Sequence, residues 1–321
     1  MIVIYTTGFL LVSSFIVDWL IGDPKRLPHP VVGFGRLITY FTRRWNKGSA
    51  SQRKARGILL VFTIVLTAWI ITWGIIAFLT WIHPLAGLAA SIWLTASTIA
   101  CKGLKEAAAA VLQPLKRGNI VEARRALSMI VGRDTEKLDE SEIVRGTVET
   151  VAENTVDGVT APLFWALLGG APLAMAYRAV NTLDSMVGYK NAEYSSFGWA
   201  SAKFDDLVNW LPARFTSVTI WLASLFIPGS KRKEGIKVTL RDAKKHPSPN
   251  SGWSEALIAG LLGVKLGGVN YYQGEVSNRA EMGIGRRPLV PEDIERAILY
   301  LYGGSLIFVI VTAAFAFLAG W

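Results

Sequence analysis

Three carboxylates at four-residue steps, Glu149, Glu153 and Asp157, open the most suggestive stretch of the chain, VETVAENTVDGVTAPLF at 148–164. A helix turns by about 100° per residue, so each step advances only about 40° and all three share one face, with Asn154 three residues before Asp157. Val148, Val151, Ala152, Val156, Val159 and Ala161 make the other faces apolar. The stripe therefore faces an enclosed polar space rather than bulk water. Carboxylates held there need a counter-charge. A Mg²⁺ ion with bound phosphates supplies one, since that ion takes one or two carboxylates and completes its shell with substrate oxygens; Lys or Arg partners would serve too.

Two further segments pair Asn with Asp beside apolar helix. RAVNTLDSMVGYK (178–190) places Arg178, Asn181, Asp184 and Ser185 at three- and four-residue steps, and SAKFDDLVNWLPAR (201–214) brings Lys203, Asp205, Asp206 and Asn209. DWLIGDPKRLPHP (18–30) has Asp18 inside an apolar run and Asp23 at its end. An acid within a membrane span is costly and marks a functional candidate. In HPSPNSGWSEALIAGLLG (246–263) the prolines stop the preceding element, Asn250 or Ser251 can cap a new helix, and Glu255 is placed for a capping box. Free N–H groups at such a start attract phosphate.

The elements that position these groups belong to a membrane protein. Of 321 residues 51% are hydrophobic and only 18% charged, with twelve Trp, too apolar for a water-facing globule of this length. Residues 57–81 and 297–321 each run 25 residues without a charge, longer than the roughly 20 that cross a hydrocarbon core. Residues 1–21, broken only by Asp18, and 84–101 also read as spans. The first lacks a basic start and a cleavage site, so it is expected to be retained.

A net charge of +10 on one soluble domain would suggest nucleic acid, but its placement excludes that partner. Nine Lys or Arg face a single Asp between residues 22 and 57, which marks that loop as cytoplasmic. Two crossings joined at His83-Pro84 return the chain, so 102–158 is expected to be a cytoplasmic helical region. Its helices run to Pro114, resume after Gly118-Asn119, and start again at a cap on Asp139 or Ser141. Residues 159–177 are uncharged but carry Pro162, Gly169-Gly170 and Pro172, and 212–228 is short for a crossing. Both are expected to be bent or partial segments, which keeps 178–211 inside. Broken helices at membrane depth are tolerated where they line a polar cavity. No pattern suggests a sheet, a repeat or a linker. The expected fold is all-α, a polytopic membrane protein forming one integrated domain over 1–321, with four spans, two broken segments and a cytoplasmic helical region.

Several chemistries are absent. There is no Walker loop, and GFGRLI at 33–38 lacks the third glycine of a dinucleotide fingerprint. Cys101 stands alone and the three His are far apart in sequence, so neither a disulfide framework nor a cysteine or histidine metal cluster is expected.

DWLIGDPKRLPHPVVGFGRLI, VETVAENTVDGVTAPLF, GGAPLAMAYRAVNTLDSMVGYK, FDDLVNWLPAR and HPSPNSGWSEA, in this order over nearly the whole chain, closely resemble the adenosylcobinamide-phosphate synthase family of cobalamin biosynthesis, the CbiB type. The resemblance implies an integral enzyme of the cell membrane whose active site faces the cytoplasm. It would join the propionate carboxyl of adenosylcobyric acid to (R)-1-amino-2-propanol or its O-phosphate, using ATP and Mg²⁺, with the corrinoid as substrate.

On that reading Glu149, Glu153, Asp157 and Asp184 are candidates for Mg²⁺. Lys190, Lys203 and Arg178 are candidates for phosphates, with Lys190 counted among the catalytic groups, and Asn154 and Asn181 for orienting substrate amides. Asp205 or Asp206 would take the ammonium proton, and Asn250 and Ser251 would contribute to substrate binding. The rival class is a transporter or channel for an anionic metabolite. It predicts repeated halves and polar residues in mid-span, whereas here the polar clusters lie between spans. Self-association is left open by the sequence.

Overall fold

The computed structural model describes residues 7–22 and 29–320; Asp23, Lys25 and Arg26 of the first polar cluster and residues 1–6 of the first apolar run lie outside them. The described elements are α1 (Thr7–Ile21), α2 (Pro30–Trp45), α3 (Ala50–Ile82), α4 (Pro84–Ala96), α5 (Cys101–Lys116), α6 (Ile120–Ser128) and α7 (Glu140–Thr155). A π-helical turn (Val156–Thr160) leads into α8 (Ala161–Val187), followed by α9 (Trp199–Val208), α10 (Trp210–Ala223), α11 (Arg232–Asp242) and α12 (Ser251–Leu262). A hairpin of β1 (Lys265–Tyr272) and β2 (Glu275–Gly283) precedes α13 (Glu292–Leu318). The architecture is that of an all-α polytopic membrane protein. Among the described residues four helical stretches are long and apolar enough to cross a bilayer, Ala50–Ile82, Pro84–Lys116, Glu140–Val187 and Glu292–Leu318. The first apolar run contributes a shorter helix of 15 residues.

The chain forms two compact units, one of residues 1–100, 161–209 and 309–321, the other of 101–160 and 210–308. The region expected at 102–158 thus shares the second unit with the later part of the chain.

In the first unit, α3 starts at a capping box in which Ser49 and Gln52 each accept the other's backbone N–H. Arg53, Lys54 and Arg56 occupy its opening turns, and no charge follows up to Ile82. His83 alone joins α3 to α4: its Nδ1 accepts the Leu85 N–H at 3.2 Å, and Pro84 takes the first helical position. α8 is interrupted at Gly169-Gly170, where Gly170 sits at φ 64°, and Pro172 follows. That is the break expected from the sequence. Beyond it, α8 packs Met175, Ala179 and Leu183 against Phe34 and Ile38 of α2, Leu60 and Ile64 of α3, and Phe197.

In the second unit, α7 starts at a capping box between Asp139 and Glu142, as its sequence indicates. α10 has 14 residues, about 21 Å of helix, and is too short to cross alone. The hairpin was not expected. Its two-residue turn holds Gln273 at φ 53° and Gly274 at φ 82°, the left-handed pair that suits antiparallel strands. The two carboxylate oxygens of Asp134 accept the N–H groups of Gln273 (3.0 Å) and Gly274 (2.8 Å). Between Leu266 and Gly268 the register shifts, and Gly267 (φ 84°) has no space for a side chain, because a Cβ would stand 2.3 Å from Ala280 O.

Candidate functional site

The first unit gathers one polar cluster where the second half of α8 meets α9. Arg178, Asn181, Asp184 and Ser185 follow one another along α8, as their spacing requires, and Arg178 Nη1 donates to Asn181 Oδ1 at 3.2 Å. A side chain at Gly188 would collide with Asp184 Oδ1, so the glycine after this helix leaves the carboxylate its place. From α9, Asp205 faces Asp184 and Asn181. A relay fixes it from behind, with Tyr177 Oη donating to Asn209 Oδ1 at 2.8 Å and Asn209 Nδ2 donating to Asp205 Oδ2 at 3.0 Å. Asp205 Oδ1 and Arg178 Nε are both buried without a hydrogen-bond partner.

Burial, reinforced by the charge of Asp184, pushes the Asp205 carboxyl up to about 7 against the opposing Asn209 and Asn181 amides. Asp206 is raised by burial and held back by Lys203, 3.7 Å away, and by Lys190. Lys190 and Lys203 are themselves exposed. The structure thus brings Arg178, Asn181, Asp184, Lys190, Lys203, Asp205 and Asp206 into one polar cluster, with the two lysines at its exposed edge. Asp18 belongs to the same unit and is buried in α1.

The second unit holds the other half of the predicted groups. Glu149 and Glu153 do share a face of α7, but they meet different partners. Glu149, 3% exposed, pairs with Arg133 through Oε2, and its Oε1 accepts the Gly267 N–H of the hairpin bulge at 2.8 Å. Its charge is therefore met by a guanidinium, whose other nitrogen donates to Asn270 Oδ1 at 2.8 Å. Glu153 Oε1 accepts from Ser251 Oγ at 2.9 Å. Asp157 lies in the widened π turn, where the 100° step assumed for the stripe no longer holds. Asn154 turns its amide back onto Thr150 O at 2.9 Å.

The start of α12 departs from its expected capping. Asn250 makes no side-chain cap; Ser248 Oγ accepts the N–H groups of Asn250 (3.2 Å) and Ser251 (3.3 Å) instead. Asn250 Oδ1 accepts from Arg214 at 3.3 Å. Glu255, expected in a capping box, points into the interior. It lies 3.5 Å from His246 Nε2, and both groups are buried. His246 Nδ1 lies 3.0 Å from Ser248 N and 3.3 Å from Ser248 O, which leaves Nε2 facing Glu255. Burial, with the charges of Glu153 and Glu149, holds the Glu255 carboxyl well above its usual range, and burial lowers His246. Burial thus disfavours the charged form of both groups.

Sequence reasoning missed Arg133, His246 and the role of Glu255. Only Glu255 left a signal, a lone acid in an otherwise apolar helix. The set proposed for Mg²⁺ draws on both units, Glu149, Glu153 and Asp157 from the second and Asp184 from the first. Among the described residues no three His, Cys, Asp or Glu side chains are grouped to hold a metal ion by themselves.

A model of the CobD/CbiB protein family matches residues 11–301. The cobalamin biosynthesis protein CobD of Halalkalibacterium halodurans is 53% identical over 310 residues, covering 96% of this chain and 97% of the relative. The cobalamin biosynthesis protein CbiB of Salmonella paratyphi B is 45% identical over 298 residues, 91% of this chain and 92% of the relative. CobD of Geobacter metallireducens is 44% identical over 306 residues, 95% and 96% of the two chains. No solved structure matches.

Proposed function

The chain belongs to the CobD/CbiB family, and on that premise we propose that it is an ATP-dependent amide ligase, joining adenosylcobyric acid to (R)-1-amino-2-propanol or its O-phosphate. The names of its relatives support a role in cobalamin biosynthesis. The ligase reading rests on the resemblance of its motifs and on one observation, the α8–α9 cluster with its buried, unpartnered Asp205 Oδ1. A buried carboxylate oxygen without a partner, beside a second carboxylate, is costly unless a cation or a donor from a ligand reaches it. Asp205 faces Asp184, a carboxylate of the kind Mg²⁺ uses, since that ion takes few carboxylates and fills its shell from phosphates.

A carboxylate and an amine do not condense in water without activation. In the proposed route the substrate carboxylate attacks the γ-phosphorus of ATP, ADP leaves, and an acyl phosphate results. The amine nitrogen then forms its bond to the acyl carbon, the bond from carbon to the phosphate oxygen breaks, and inorganic phosphate departs. When bound, Mg²⁺ would neutralise phosphate charge, with Asp184 as the residue of this cluster to hold it. Lys190, Lys203 and Arg178 supply positive charge for the phosphates. Asp205, oriented by the Tyr177–Asn209 relay, takes the proton that the nitrogen loses, with Asp206 beside it. Asn181 orients a substrate amide.

Purified protein incubated with adenosylcobyric acid, the amine, ATP and Mg²⁺ should yield the amide together with ADP and phosphate, read by mass spectrometry. Asp205→Asn should lower the rate about a hundredfold or more while leaving membrane insertion intact. Wild-type turnover in that variant removes Asp205 from the mechanism. If the wild-type protein forms no amide but moves an anionic metabolite across a vesicle wall, the transporter reading replaces this one.

A further inference from the structure

A second polar feature of the first unit lies away from the carboxylates. α2 is strongly two-faced. Phe34 and Ile38 enter the core with α3 and α8, while Val32, Leu37 and Tyr40 are exposed beside Arg36, Arg43 and Arg44. Arg36, Tyr40, Arg43 and Arg44 stand at i, i+4, i+7 and i+8, so they share one side of the helix. They line a cavity of about 700 Å³ with Val32, Gly35, Thr39 and Met186, the last supplied by α8. Arg44 stacks on the Tyr40 ring, its Cζ 3.8 Å from the centroid. No carboxylate lines this hollow, and among the described residues none of the three guanidinium groups has an acidic partner.

Its level relative to a bilayer follows from the joint between α2 and α3. The C-terminal end of α2, which carries Arg43 and Arg44, is tied to the start of α3. Arg53 Nε donates to Asn46 Oδ1 at 2.7 Å and Arg56 Nη1 to Lys47 O at 2.8 Å. The uncharged part of α3 begins at Gly57, directly after these basic residues. The two arginines at the end of α2 therefore stand where a spanning helix leaves the hydrocarbon. At 16 residues α2 is about 24 Å long and carries three arginines, which suits a helix lying in the interface and not one crossing it. A purely solvated basic surface would account for the charges. It would not account for the exposed Val32, Leu37 and Tyr40 among them, nor for the concave shape closed by Met186.

We propose that this hollow binds the phosphodiester headgroup of an anionic phospholipid, with Arg36, Arg43 and Arg44 on the phosphate and the exposed apolar side chains of α2 against the acyl chains. Planar guanidinium groups match phosphate oxygens two at a time, which lysines do not. The inference is independent of the amide-forming reading and needs no activity assay.

The test titrates detergent-purified, full-length protein with phosphatidylglycerol or phosphatidylcholine and counts bound lipids by native mass spectrometry. The wild type should bind phosphatidylglycerol saturably and in preference to phosphatidylcholine. Each basic residue at such a surface is worth a factor of about five, so the triple variant Arg36→Gln/Arg43→Gln/Arg44→Gln should bind on the order of a hundredfold more weakly. The triple Lys variant keeps the charge and should fall between the two. If the triple Gln variant does not fold, Arg43→Gln alone, on an exposed position, should weaken binding about fivefold. Equal retention of both lipids, or unchanged phosphatidylglycerol binding in the Gln variants, overturns the proposal. Competitive displacement by inorganic phosphate or glycerol phosphate also overturns it, and makes the hollow a site for a soluble phosphate ester.

Discussion

Replacing Arg133 with Met should destabilise the second unit by about 3–5 kcal/mol, because Glu149 would become a buried carboxylate without a counter-charge. Arg133 is 8% exposed and Glu149 3%, so water cannot take over from the lost guanidinium. In the double variant Arg133→Met/Glu149→Met both charges are gone. The Gly267 N–H then loses its acceptor, while Asn270 Oδ1 keeps Arg145 Nη2 at 3.2 Å, so the remaining cost is about 1–3 kcal/mol. The double variant should therefore be more stable than the single one. Cys101 makes the measurement direct, since it is the chain's single cysteine, fully buried at the start of α5 in the same unit. A thiol-reactive fluorophore thus reports unfolding from one known place. At about 2–4 °C per kcal/mol, the single variant should melt roughly 6–20 °C below wild type and the double variant roughly 2–12 °C below. Equal midpoints for the two variants would falsify the ion pair as the partner of Glu149. A wild-type midpoint that drops on chelation of Mg²⁺ as far as it does in Arg133→Met would assign that carboxylate to the metal instead.

Glu255→Gln should leave the melting temperature at neutral pH unchanged or raised. Its folded pKa lies above the unfolded value, so keeping the acid protonated costs stability that grows as pH rises past that unfolded value, and the amide abolishes the cost; a loss like that of Arg133→Met would show the carboxylate to be ionised and paired. Asp242 is the opposite case. Arg241 first, then Lys245 and the Gly283 N–H, hold its carboxyl well below the usual range, so its stabilisation is complete above about pH 4 and fades as pH falls further. Asp242→Asn should cost about 2 kcal/mol at neutral pH, and the gap to wild type should narrow below about pH 4 in melts of both proteins; a gap that stays constant with pH would show that the charge plays no part.

How much of this was legible in the sequence depended on how far apart the partners lie. The Asp139–Glu142 box at the start of α7 was readable because cap and partner are three residues apart. The break in α8 was readable from Gly169, Gly170 and Pro172 alone, since backbone conformation is a local property. The hairpin was not. KLGGVNYY lacks a regular alternation of apolar residues, its turn places the non-glycine Gln273 in the left-handed region, and the clamp on that turn is Asp134, some 140 residues away. Of the stripe read at 149–157, Glu149 and Glu153 share a face of α7 while Asp157 falls in the π turn beyond it. Periodicity places Glu149 and Glu153 on one side of a helix but says nothing of Arg133, Ser251 or the bulge at Gly267 that meet them.

Those partners divide the acidic side chains into two physical kinds. Glu149 and Asp242 have their charges answered by guanidinium, ammonium or backbone N–H groups, and such carboxylates organise structure. Asp205 and Glu255 each keep one buried oxygen without a hydrogen-bond partner, and burial raises the pKa of both. An unmet buried oxygen costs about 1–3 kcal/mol, and a fold that is only marginally stable keeps it where a ligand or a proton repays the loss. Glu255 has the His246 imidazole 3.5 Å away, inside the same buried site. Asp205 has no such neighbour. It is fixed through Asn209 and Tyr177, it faces a second carboxylate, and cationic side chains stand at the edge of its cluster. A cation carrying anionic substrate is the kind of guest that would satisfy all of those features together, and this is why the proposed chemistry is centred on α8 and α9 and not on the more conspicuous stripe of α7.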